Sequence, residues 1–483
     1  MAFTFYWHDY ETWGEVPSLD KPSQFAGVRT DAALNIIGEP LSFYCQPPPD
    51  YLPKPEACLV TGITPQLALR EGLPEYQFIA RIHAELSQPN TCGVGYNSIR
   101  FDDEVTRYTL YRNFYDPYER EWRHGNSRWD IIDMLRLCYA IRPEGIEWPQ
   151  NDDSAPSFRL ELLTAANNLS HESAHDALSD VYATIAMAKL VKEKQPNLFD
   201  YALRLRAKKA VAELIDLHSF KPLLHISSRY PATQGCAALV MPLAMHPVNS
   251  NGVIVYDLSA GPELLTDLSV DEIAARVFTR REDLDEGQER VPLKVVHLNK
   301  SPIVATPKLI DGKVSERLQL DKSLCDQHWQ ALKQLDLSGA IAKKVQAVFA
   351  QNPFPESTDP EQALYQGFLN DNDKSTLAEV RAADAKVLAK TQFSFYDKRL
   401  PELLFRYRAR NFPDSLSKQE QAQWREHCHQ RLTKSDDERI LDIHLLRQRI
   451  QALQEDVQGD KNKLKILDQL GQYGDGLLER SGA

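Results

Sequence analysis

The sequence has little that would place the protein in a membrane or outside the cell. No stretch approaches the roughly 18 consecutive apolar residues of a membrane span, and no basic region followed by an apolar run opens the chain. The 7 cysteines show no Cys-x-x-Cys spacing, which argues against a zinc site and a disulfide framework. We therefore expect free thiols in a reducing compartment, and a soluble, cytoplasmic protein that does not associate with membranes.

Several other common signals are also missing. The chain has no Gly-rich phosphate loop, no repeat of solenoid length and no low-complexity tract. Its formal net charge of −12 argues against a protein that coats nucleic acid through overall basicity. Any polyanionic substrate must therefore meet a local basic channel. The 483 residues have ordinary apolar and charged fractions and are enough for two to four domains.

The pattern of extended and helical periodicity changes twice along the chain, which predicts three domains. Residues 1–200 alternate extended and helical patterns, residues 201–352 are rich in short extended runs, and residues 353–483 have helical periodicity. The predicted strands are 3–12, 25–30, 34–38, 41–45, 91–96, 223–226, 237–242, 252–257 and 293–298. The main predicted helices of the first part are 74–86, 129–141, 158–167 and 177–192. We expect a mixed α/β domain, a small β-barrel and an all-α domain.

The first predicted strand carries two acidic residues on one face. Its period of two places Asp9 and Glu11 on the same side as Phe5 and Trp7. Neighbouring carboxylates repel each other unless a cation compensates them, and Mg²⁺ is the hard cation that such ligands favour. For an isolated Asp-x-Glu, a solvated turn after a strand is the alternative.

A second acidic stretch supplies the missing partners. In residues 170–181, a histidine precedes an aspartate by five positions twice, as His171/Asp176 and as His175/Asp180, and spacing alone does not choose between them. Taken with Asp9, Glu11 and Asp102, this stretch supplies a fourth carboxylate and a titratable imidazole. That set is typical of two-metal phosphodiester hydrolysis.

These motifs, taken in order, resemble those of the DEDDh exonucleases. The matching features are His-Asp-Tyr-Glu-Thr at residues 8–12, Tyr-Asn-x-x-Arg-Phe-Asp at 96–102, Trp-Asp at 129–130 and Ala-His-Asp-Ala-x-x-Asp at 174–180. Over its whole length the chain resembles the bacterial exonuclease I family, through Phe-Asp-Asp-Glu-Val-Thr-Arg at 101–107, Arg-Asn-Phe-Tyr-Asp-Pro-Tyr at 112–118 and Tyr-Arg-Ala-Arg-Asn-Phe-Pro at 407–413. The resemblance implies an α/β, ribonuclease H-like exonuclease domain (1–200), an SH3-like β-barrel domain (201–352) and an all-α C-terminal domain (353–483).

The resemblance also implies a role for each acidic residue. Asp9, Glu11, Asp102 and Asp180 would bind two Mg²⁺ ions, with Mn²⁺ as an alternative, and His175 would be the general base. This assignment decides between the two registers and leaves Asp176 and Asp103 as acids at the starts of helices.

Substrate contacts follow from the same resemblance and from basic residues interleaved with aromatic ones. Glu11 and Arg159 would contact the terminal nucleotide. The remaining predicted contacts with DNA are Arg107, Tyr118, Trp122, Arg136, Lys208, Asn251, His297, Asn299 and Lys300. For each of them, a solvated or packed side chain is the alternative. Tyr365 and Phe368 are expected in a core, with closure over DNA as the alternative, and Arg406, Arg408 and Arg410 form a further basic run or a solvated face.

The expected function is that of a 3′→5′ exodeoxyribonuclease that degrades single-stranded DNA to 5′-mononucleotides in DNA repair and recombination. The partners that the resemblance implies are single-stranded DNA and the C-terminal tail of single-stranded DNA-binding protein, and we expect a monomer. Two alternatives remain. One is an RNA-trimming exonuclease of the same superfamily, and the other is a non-catalytic single-strand-binding adaptor.

Overall fold

The computed structural model describes residues 2–151, 154–171, 176–335, 339–352, 356–434, 437 and 439–482. The strands are β1 (Thr4–Thr12), β2 (Pro22–Thr30), β3 (Leu41–Tyr44), β4 (Thr91–Gly95), β5 (Ser127–Asp130), β6 (Leu223–Ile226), β7 (Ala237–Met245), β8 (Gly252–Asp257), β9 (Leu293–His297) and β10 (Ile303–Ala305). The α-helices up to residue 212 are α1 (Pro55–Thr61), α2 (Pro65–Glu71), α3 (Glu75–Leu86), α4 (Asp102–Arg112), α5 (Ile132–Ile141), α6 (Leu160–Ala166), α7 (Ala177–Lys194), α8 (Pro196–Arg204) and α9 (Lys208–Ala212). The later helices are α10 (Glu263–Thr266), α11 (Val270–Phe278), α12 (Gly312–Arg317), α13 (Lys322–Leu335), α14 (Ala340–Ala350), α15 (Asp371–Ala382), α16 (Ala385–Lys390), α17 (Leu400–Asn411), α18 (Lys418–Thr433), α19 (Ile443–Asp456) and α20 (Lys461–Ser481).

The chain forms two compact units. Unit 1 comprises Met1–Ser127, His171–Tyr182 and Glu356–Ala483, and unit 2 comprises Arg128–Ser170 and Ala183–Pro355. The first and last parts of the sequence therefore fold together. The predicted domain boundaries at residues 200 and 352 stay predictions.

Strand β1 lies inside the sheet of unit 1. The neighbouring strands run in the order β3-β2-β1-β4, with β1 antiparallel to β2 and parallel to β4. Both faces of β1 are buried: Tyr6 and Tyr10 pack with Phe25 and α3, while Trp7 donates from Nε1 to Thr30 Oγ1 at 2.9 Å. A strand covered on both faces is held in one register. Its acidic end is therefore fixed relative to the neighbouring strands.

Two local predictions were wrong. Residues 34–38 do not form a strand, because the Asp31 carboxylate accepts hydrogen bonds from the backbone N–H groups of Ala33 and Asn35 and closes a turn instead. Only an isolated bridge joins Thr30 to Ile36. The predicted helix 129–141 begins later, since β5 continues to Asp130 and α5 starts at Ile132.

The C-terminal helices complete unit 1. One apolar cluster joins Trp13 and Tyr51 to Leu446, Leu470 and Tyr473 of α19 and α20. A second cluster packs aromatic residues of α4 and the turn after it against α15 and α17; its members include Tyr108, Tyr111, Phe114, Leu377, Leu403 and Tyr407. The helical segment thus shares two apolar clusters with the N-terminal part of unit 1.

Unit 2 contains an antiparallel sheet in the order β10-β6-β7-β8-β9. The predicted strands 223–226 and 252–257 are confirmed at both ends, while β7 runs three residues past its predicted end and β9 stops one residue short. Helices α8 to α14 belong to the same unit as this sheet. The fold class is confirmed as an α/β segment, an antiparallel β segment and a helical C-terminal segment.

Two predictions made from absences can be compared with the structure. All seven cysteines are buried and free, as expected. Among the described residues, no helix has both the length and the apolarity needed to cross a membrane.

Candidate active site

The acidic end of β1 supplies the first two carboxylates. Asp9 is half-buried and Glu11 is buried. Asp9 pairs with Ala26 and Glu11 with Gln24 of β2, and the register shifts between Glu11 and Thr12. A bulge at a strand end is a common way to aim a side chain into a site.

Helix α7 brings a third carboxylate to this position. One carboxylate oxygen from each of Asp9, Glu11 and Asp180 lies within 4.8 Å of the other two. Asp180 stands in the first turn of the helix. Asp176 accepts from the backbone N–H of Ser179 at 3.1 Å, so it caps the helix as predicted.

Asp102, the first residue of α4, is the fourth member of the cluster. Its Oδ1 accepts a hydrogen bond of 3.1 Å from the backbone N–H of Tyr10, the residue between Asp9 and Glu11. Thr106 strengthens the same junction, because its hydroxyl donates to the Asp102 carbonyl at 2.8 Å and lies within hydrogen-bond distance of the Tyr10 hydroxyl at 3.0 Å. The start of α4 is thereby attached to the middle of β1.

The four carboxylates perturb one another. Burial, followed by the negative charges of Asp102, Glu11 and Asp180, raises the pKa of Asp9 well above its ordinary value. Burial, followed by the charges of Asp180 and Asp102, raises the pKa of Glu11 to about 8. Both pKa values are raised because negative charges lie close together where little water reaches them. A bound cation would stabilise the ionised carboxylates most strongly in such a place.

The histidines near Asp180 were only partly anticipated. His171 Nε2 lies 2.5 Å from Asp180 Oδ1, a pairing that matches neither register of the sequence pattern. The five-residue spacing did not reveal it, because residues 171 and 180 are nine positions apart. His175, the predicted general base, lies outside the described residues.

Asp103 has a different partner from Asp102. Its Oδ1 accepts from Arg120 Nη2 at 2.6 Å, and both side chains are at most 2% exposed. Sequence reasoning set Asp103 aside as a first-turn acid but missed Arg120. An arginine 17 residues away gave no periodic signal that could have indicated the pair.

Among the predicted DNA contacts of unit 1, Arg107 is buried and forms ion pairs within the protein. It makes a bidentate ion pair with Glu121, at 2.7 and 2.8 Å, and a third contact with Glu104 at 2.9 Å. Its guanidinium also lies 5.3 Å from the centroid of the Tyr118 ring. Trp122 is 63% exposed. The contacts of Arg107, Tyr118 and Trp122 with DNA stay predictions.

The structure corrects the expectation for Tyr365 and Phe368. They are 50% and 86% exposed, so they are not core residues. The Phe368 ring lies 5.7 Å from that of Tyr118 in an edge-on arrangement. The basic run is less exposed than a solvated face would be. Arg406 is buried, and Arg410 forms an ion pair with Asp50 at 2.6 Å.

In unit 2, four predicted contacts come together. Gly252 pairs with His297 across β8 and β9, and the Asn251 carbonyl accepts from the backbone N–H of Leu298 at 2.8 Å. Asn299 and Lys300 follow in the same turn, so the structure places Asn251, His297, Asn299 and Lys300 at one end of the sheet. Their contact with DNA stays a prediction.

The other three predicted contacts of unit 2 lie elsewhere. Arg159 is exposed just before α6, and Lys208 is exposed at the start of α9. Arg136 is half-buried; it donates to Asp133 at 2.5 Å and lies 5.5 Å from the centroid of the Phe158 ring. Their roles in substrate binding also stay predictions.

Comparisons with known proteins agree with this geometry. Three family models match the chain: "Exonuclease" over residues 6–188, "Exonuclease I SH3-like domain" over 206–351 and "Exonuclease I C-terminal domain" over 358–477. The exodeoxyribonuclease I of Haemophilus influenzae is 48% identical over 478 residues, which cover 99% of both chains. The chain belongs to the exonuclease I family.

Solved structures of this family superpose closely on the chain. Escherichia coli exonuclease I in complex with a dA16 oligonucleotide is 46% identical, with a TM-score of 0.93 over 98% of this chain and 100% of that one. The zinc-bound form of the E. coli ExoI–ssDNA complex is 45% identical, with a TM-score of 0.94 over 99% of this chain and 100% of that one. The exonuclease, SH3-like and C-terminal parts expected from the sequence are therefore present in this exonuclease I family member.

The residues of the cluster fit a divalent ion. Asp9, Glu11 and Asp180 offer three carboxylate oxygens close enough to share one cation, and Asp102 adds a fourth carboxylate to the same electrostatic group. Oxygen donors of this kind suit hard divalent cations. The exonuclease match implies dependence on a divalent metal ion, and the donor set agrees with it.

Proposed function

We propose that this exonuclease I family member is a 3′→5′ exodeoxyribonuclease that degrades single-stranded DNA to 5′-mononucleotides. The observation that carries the proposal is the cluster of Asp9, Glu11 and Asp180, whose oxygens lie within 4.8 Å of one another beside Asp102. This chemistry is the hydrolysis of a phosphodiester by water, with cleavage of the bond between phosphorus and the 3′ oxygen.

Different side chains have different roles in this proposed reaction. Asp9, Glu11, Asp102 and Asp180 hold two divalent ions, for which Mg²⁺ is our proposal and Mn²⁺ the alternative. Bound there, such ions lower the pKa of the attacking water and offset charge on the departing 3′ oxygen. His175 accepts the proton of that water, a task suited to imidazole because its ordinary pKa of about 6.5 is close to neutral pH. Arg159 binds the terminal nucleotide together with Glu11.

Exposed aromatic residues of unit 1 support a single-stranded substrate. Trp122 and Phe368 present large apolar faces to solvent, and Tyr118 lies beside Phe368. Unpaired bases stack on such faces whatever their sequence, whereas bases in a duplex are already stacked on each other. Arg136 and Lys208, with the turn of Asn251, His297, Asn299 and Lys300, supply the phosphate and sugar contacts of the proposal.

The same proposal includes the cellular setting. The protein acts as a monomer in the cytoplasm, in DNA repair and recombination, and binds the acidic C-terminal tail of single-stranded DNA-binding protein. The likeness to exodeoxyribonuclease I along almost the whole chain supports these parts.

A time course on DNA labelled at its 5′ end tests substrate, polarity and metal in one experiment. Single-stranded DNA, duplex DNA and RNA of one sequence are each incubated with Mg²⁺ or with a chelator. We expect only the single-stranded DNA to shorten from its 3′ end, and only with Mg²⁺. Faster shortening of RNA would favour the RNA-trimming alternative, and tight binding without shortening would favour the adaptor.

A further inference from the structure

A segment from the C-terminal part of the chain is connected by hydrogen bonds to two of the three elements that carry the carboxylate cluster, the end of β1 and the start of α4. This bridging segment, residues 359–368, belongs to unit 1. Its first contact is Glu361, whose Oε2 accepts from Lys21 Nζ at 2.7 Å, with both side chains only 3% exposed. The Lys21 carbonyl accepts in turn from the backbone N–H of Trp13 at 2.9 Å. Glu361 is thereby joined to the end of β1, two residues beyond Glu11.

The second contact is made by Tyr365. Its hydroxyl donates to Glu104 Oε2 and accepts from Arg107 Nη1, the latter at 2.9 Å. Glu104 and Arg107 lie in the first two turns of α4, the helix that begins with Asp102. The link to the end of β1, at Glu361, and the contact with α4, at Tyr365, are therefore four positions apart in the bridging segment.

The bridging segment is itself firmly held. Arg410 Nη1 lies 2.6 Å from Glu361 Oε1, and Arg406 Nη1 lies 3.5 Å from the same atom. Arg399 donates to the carbonyl groups of Ala363 at 2.5 Å and of Gly367 at 3.0 Å. Because its own side chains and carbonyls are fixed, the segment can transmit position from one element to the other.

We propose that Glu361 and Tyr365 are positioning residues for the metal-binding carboxylates. Through Lys21 and through Glu104 with Arg107, they fix the distance between the end of β1 and the start of α4, and so between Glu11 and Asp102. Carboxylate ligands must sit within about 0.5 Å of their places for a productive metal site, so a small loosening is costly. This inference rests on the proposed function, because it assumes that the cluster binds divalent ions.

Tyr365 is also half-exposed, so a direct contact between its ring and DNA is the competing explanation. The variant Tyr365→Phe separates the two, since it removes the hydroxyl and keeps the ring. Tyr396→Phe is the matched control: Tyr396 is 72% exposed in the same unit and lies outside the proposed site. It should behave like the parent protein in every assay.

Three measurements are made on each full-length variant. Calorimetric titration with Mn²⁺ in the absence of substrate gives metal affinity. Hydrolysis of the p-nitrophenyl ester of thymidine 5′-monophosphate gives kcat and KM on a substrate with one nucleotide. Binding of an oligonucleotide in the presence of chelator gives affinity for DNA without the metal.

For Tyr365→Phe we expect the Mn²⁺ dissociation constant to rise about three- to tenfold, and kcat on the ester to fall by a similar factor, which is the effect of losing one hydrogen bond of typical strength. KM and oligonucleotide binding should stay within about twofold. Unchanged Mn²⁺ affinity with weaker oligonucleotide binding would overturn the proposal and make Tyr365 a DNA contact.

Lys21→Met provides a second, independent test at the other end of the bridging segment. We expect the same loss of Mn²⁺ affinity, measured at a temperature where thermal unfolding shows the variant to be folded. Lower thermal stability with unchanged Mn²⁺ affinity would mean that Lys21 and Glu361 only stabilise the fold. Absence of nuclease activity in the parent protein would overturn the proposed function, whereas unchanged Mn²⁺ affinity in both variants would overturn this inference alone.

Discussion

Asp103 and Arg120 form an ion pair of 2.6 Å that is almost completely shielded from water, next in the chain to Asp102. Because Asp103 is engaged with Arg120, Asp102 is the acid of this adjacent pair that reaches Tyr10 and the carboxylate cluster. The arrangement explains how two neighbouring aspartates take different roles. One fixes the helix start, and the other faces the site.

Replacement of Arg120 by methionine should destabilise the protein strongly. It leaves the Asp103 carboxylate buried without its partner, which typically costs about 3–5 kcal/mol in the free energy of unfolding. Urea unfolding followed by circular dichroism measures the change. The double variant Arg120→Met/Asp103→Asn should recover part of the loss, because it removes the buried charge; a loss below about 1 kcal/mol in the single variant would contradict this account.

Loss of a proposed catalytic group should abolish cleavage without abolishing binding. For His175→Ala we expect kcat to fall by about 10²-fold to 10⁴-fold, the usual range for removal of a general base. For Asp102→Asn, which removes a proposed metal-binding charge, we expect kcat to fall at least as far. Affinity for single-stranded DNA, measured by fluorescence anisotropy in chelator, should survive. Glu39→Gln, a neutralised exposed acid, serves as the control. Full activity in either site variant would refute the assignment of that residue.

Metal binding should depend on Glu11. Its carboxylate lies within 4.8 Å of those of Asp9 and Asp180, so Glu11→Gln removes a charge from the ligand set while it preserves shape. We expect weaker binding of Mn²⁺, or one ion fewer per protein, in a titration without substrate, together with loss of turnover. Equal affinity and stoichiometry in parent and variant would show that Glu11 is not a ligand.

Phe368 should contribute to the affinity for single-stranded DNA. Its side chain is 86% exposed, so truncation to alanine disturbs no core. A stacked base is typically worth about 1–3 kcal/mol, which corresponds to a roughly 5- to 150-fold weaker affinity for Phe368→Ala. Tyr396→Ala, which removes another exposed aromatic ring, is the control. Affinity within about twofold of the parent would exclude Phe368 from the binding surface.

The buried ion pairs of unit 1 predict how stability responds to acid. Burial alone would raise the pKa of Asp50, but the positive charges of Arg410 and Arg431 and the hydrogen bonds from Arg410 outweigh it and hold that pKa well below its ordinary value of 3.8. Burial would also raise the pKa of Glu361, but the positive charges of Arg410 and Lys21 hold that pKa well below its ordinary value of 4.5.

A carboxylate whose pKa is lowered by folding contributes stability that is present above the pKa of the unfolded chain and is lost as the pH falls through the pKa of the folded protein. We therefore expect the contribution of Asp50 and Glu361 to the free energy of unfolding to be steady from pH 7 to about pH 5 and to decline below about pH 4.5. Urea unfolding at pH 7, 5, 4 and 3 measures it. Asp50→Asn should reduce the slope in acid, and an identical slope would contradict the role of Asp50.

The sequence by itself determined the order of the three structural segments and the placement of Asp9 beside Glu11. Alternation in β1 identified Asp9 and Glu11 as neighbours on one face, because side-chain direction in a strand follows from backbone geometry alone. The segment around His175 and Asp180 needed family resemblance, since two registers with the same spacing are equivalent in a single sequence.

Tertiary structure decided what depends on contacts between distant residues. The pairs of Asp103 with Arg120, Glu361 with Lys21 and Tyr365 with Glu104 join positions from 17 to 340 residues apart. Local patterns carry no record of such pairs, because any arginine or lysine of the chain could have met any acid. Only tertiary packing determined which charges were buried together and which aromatic residues stayed exposed.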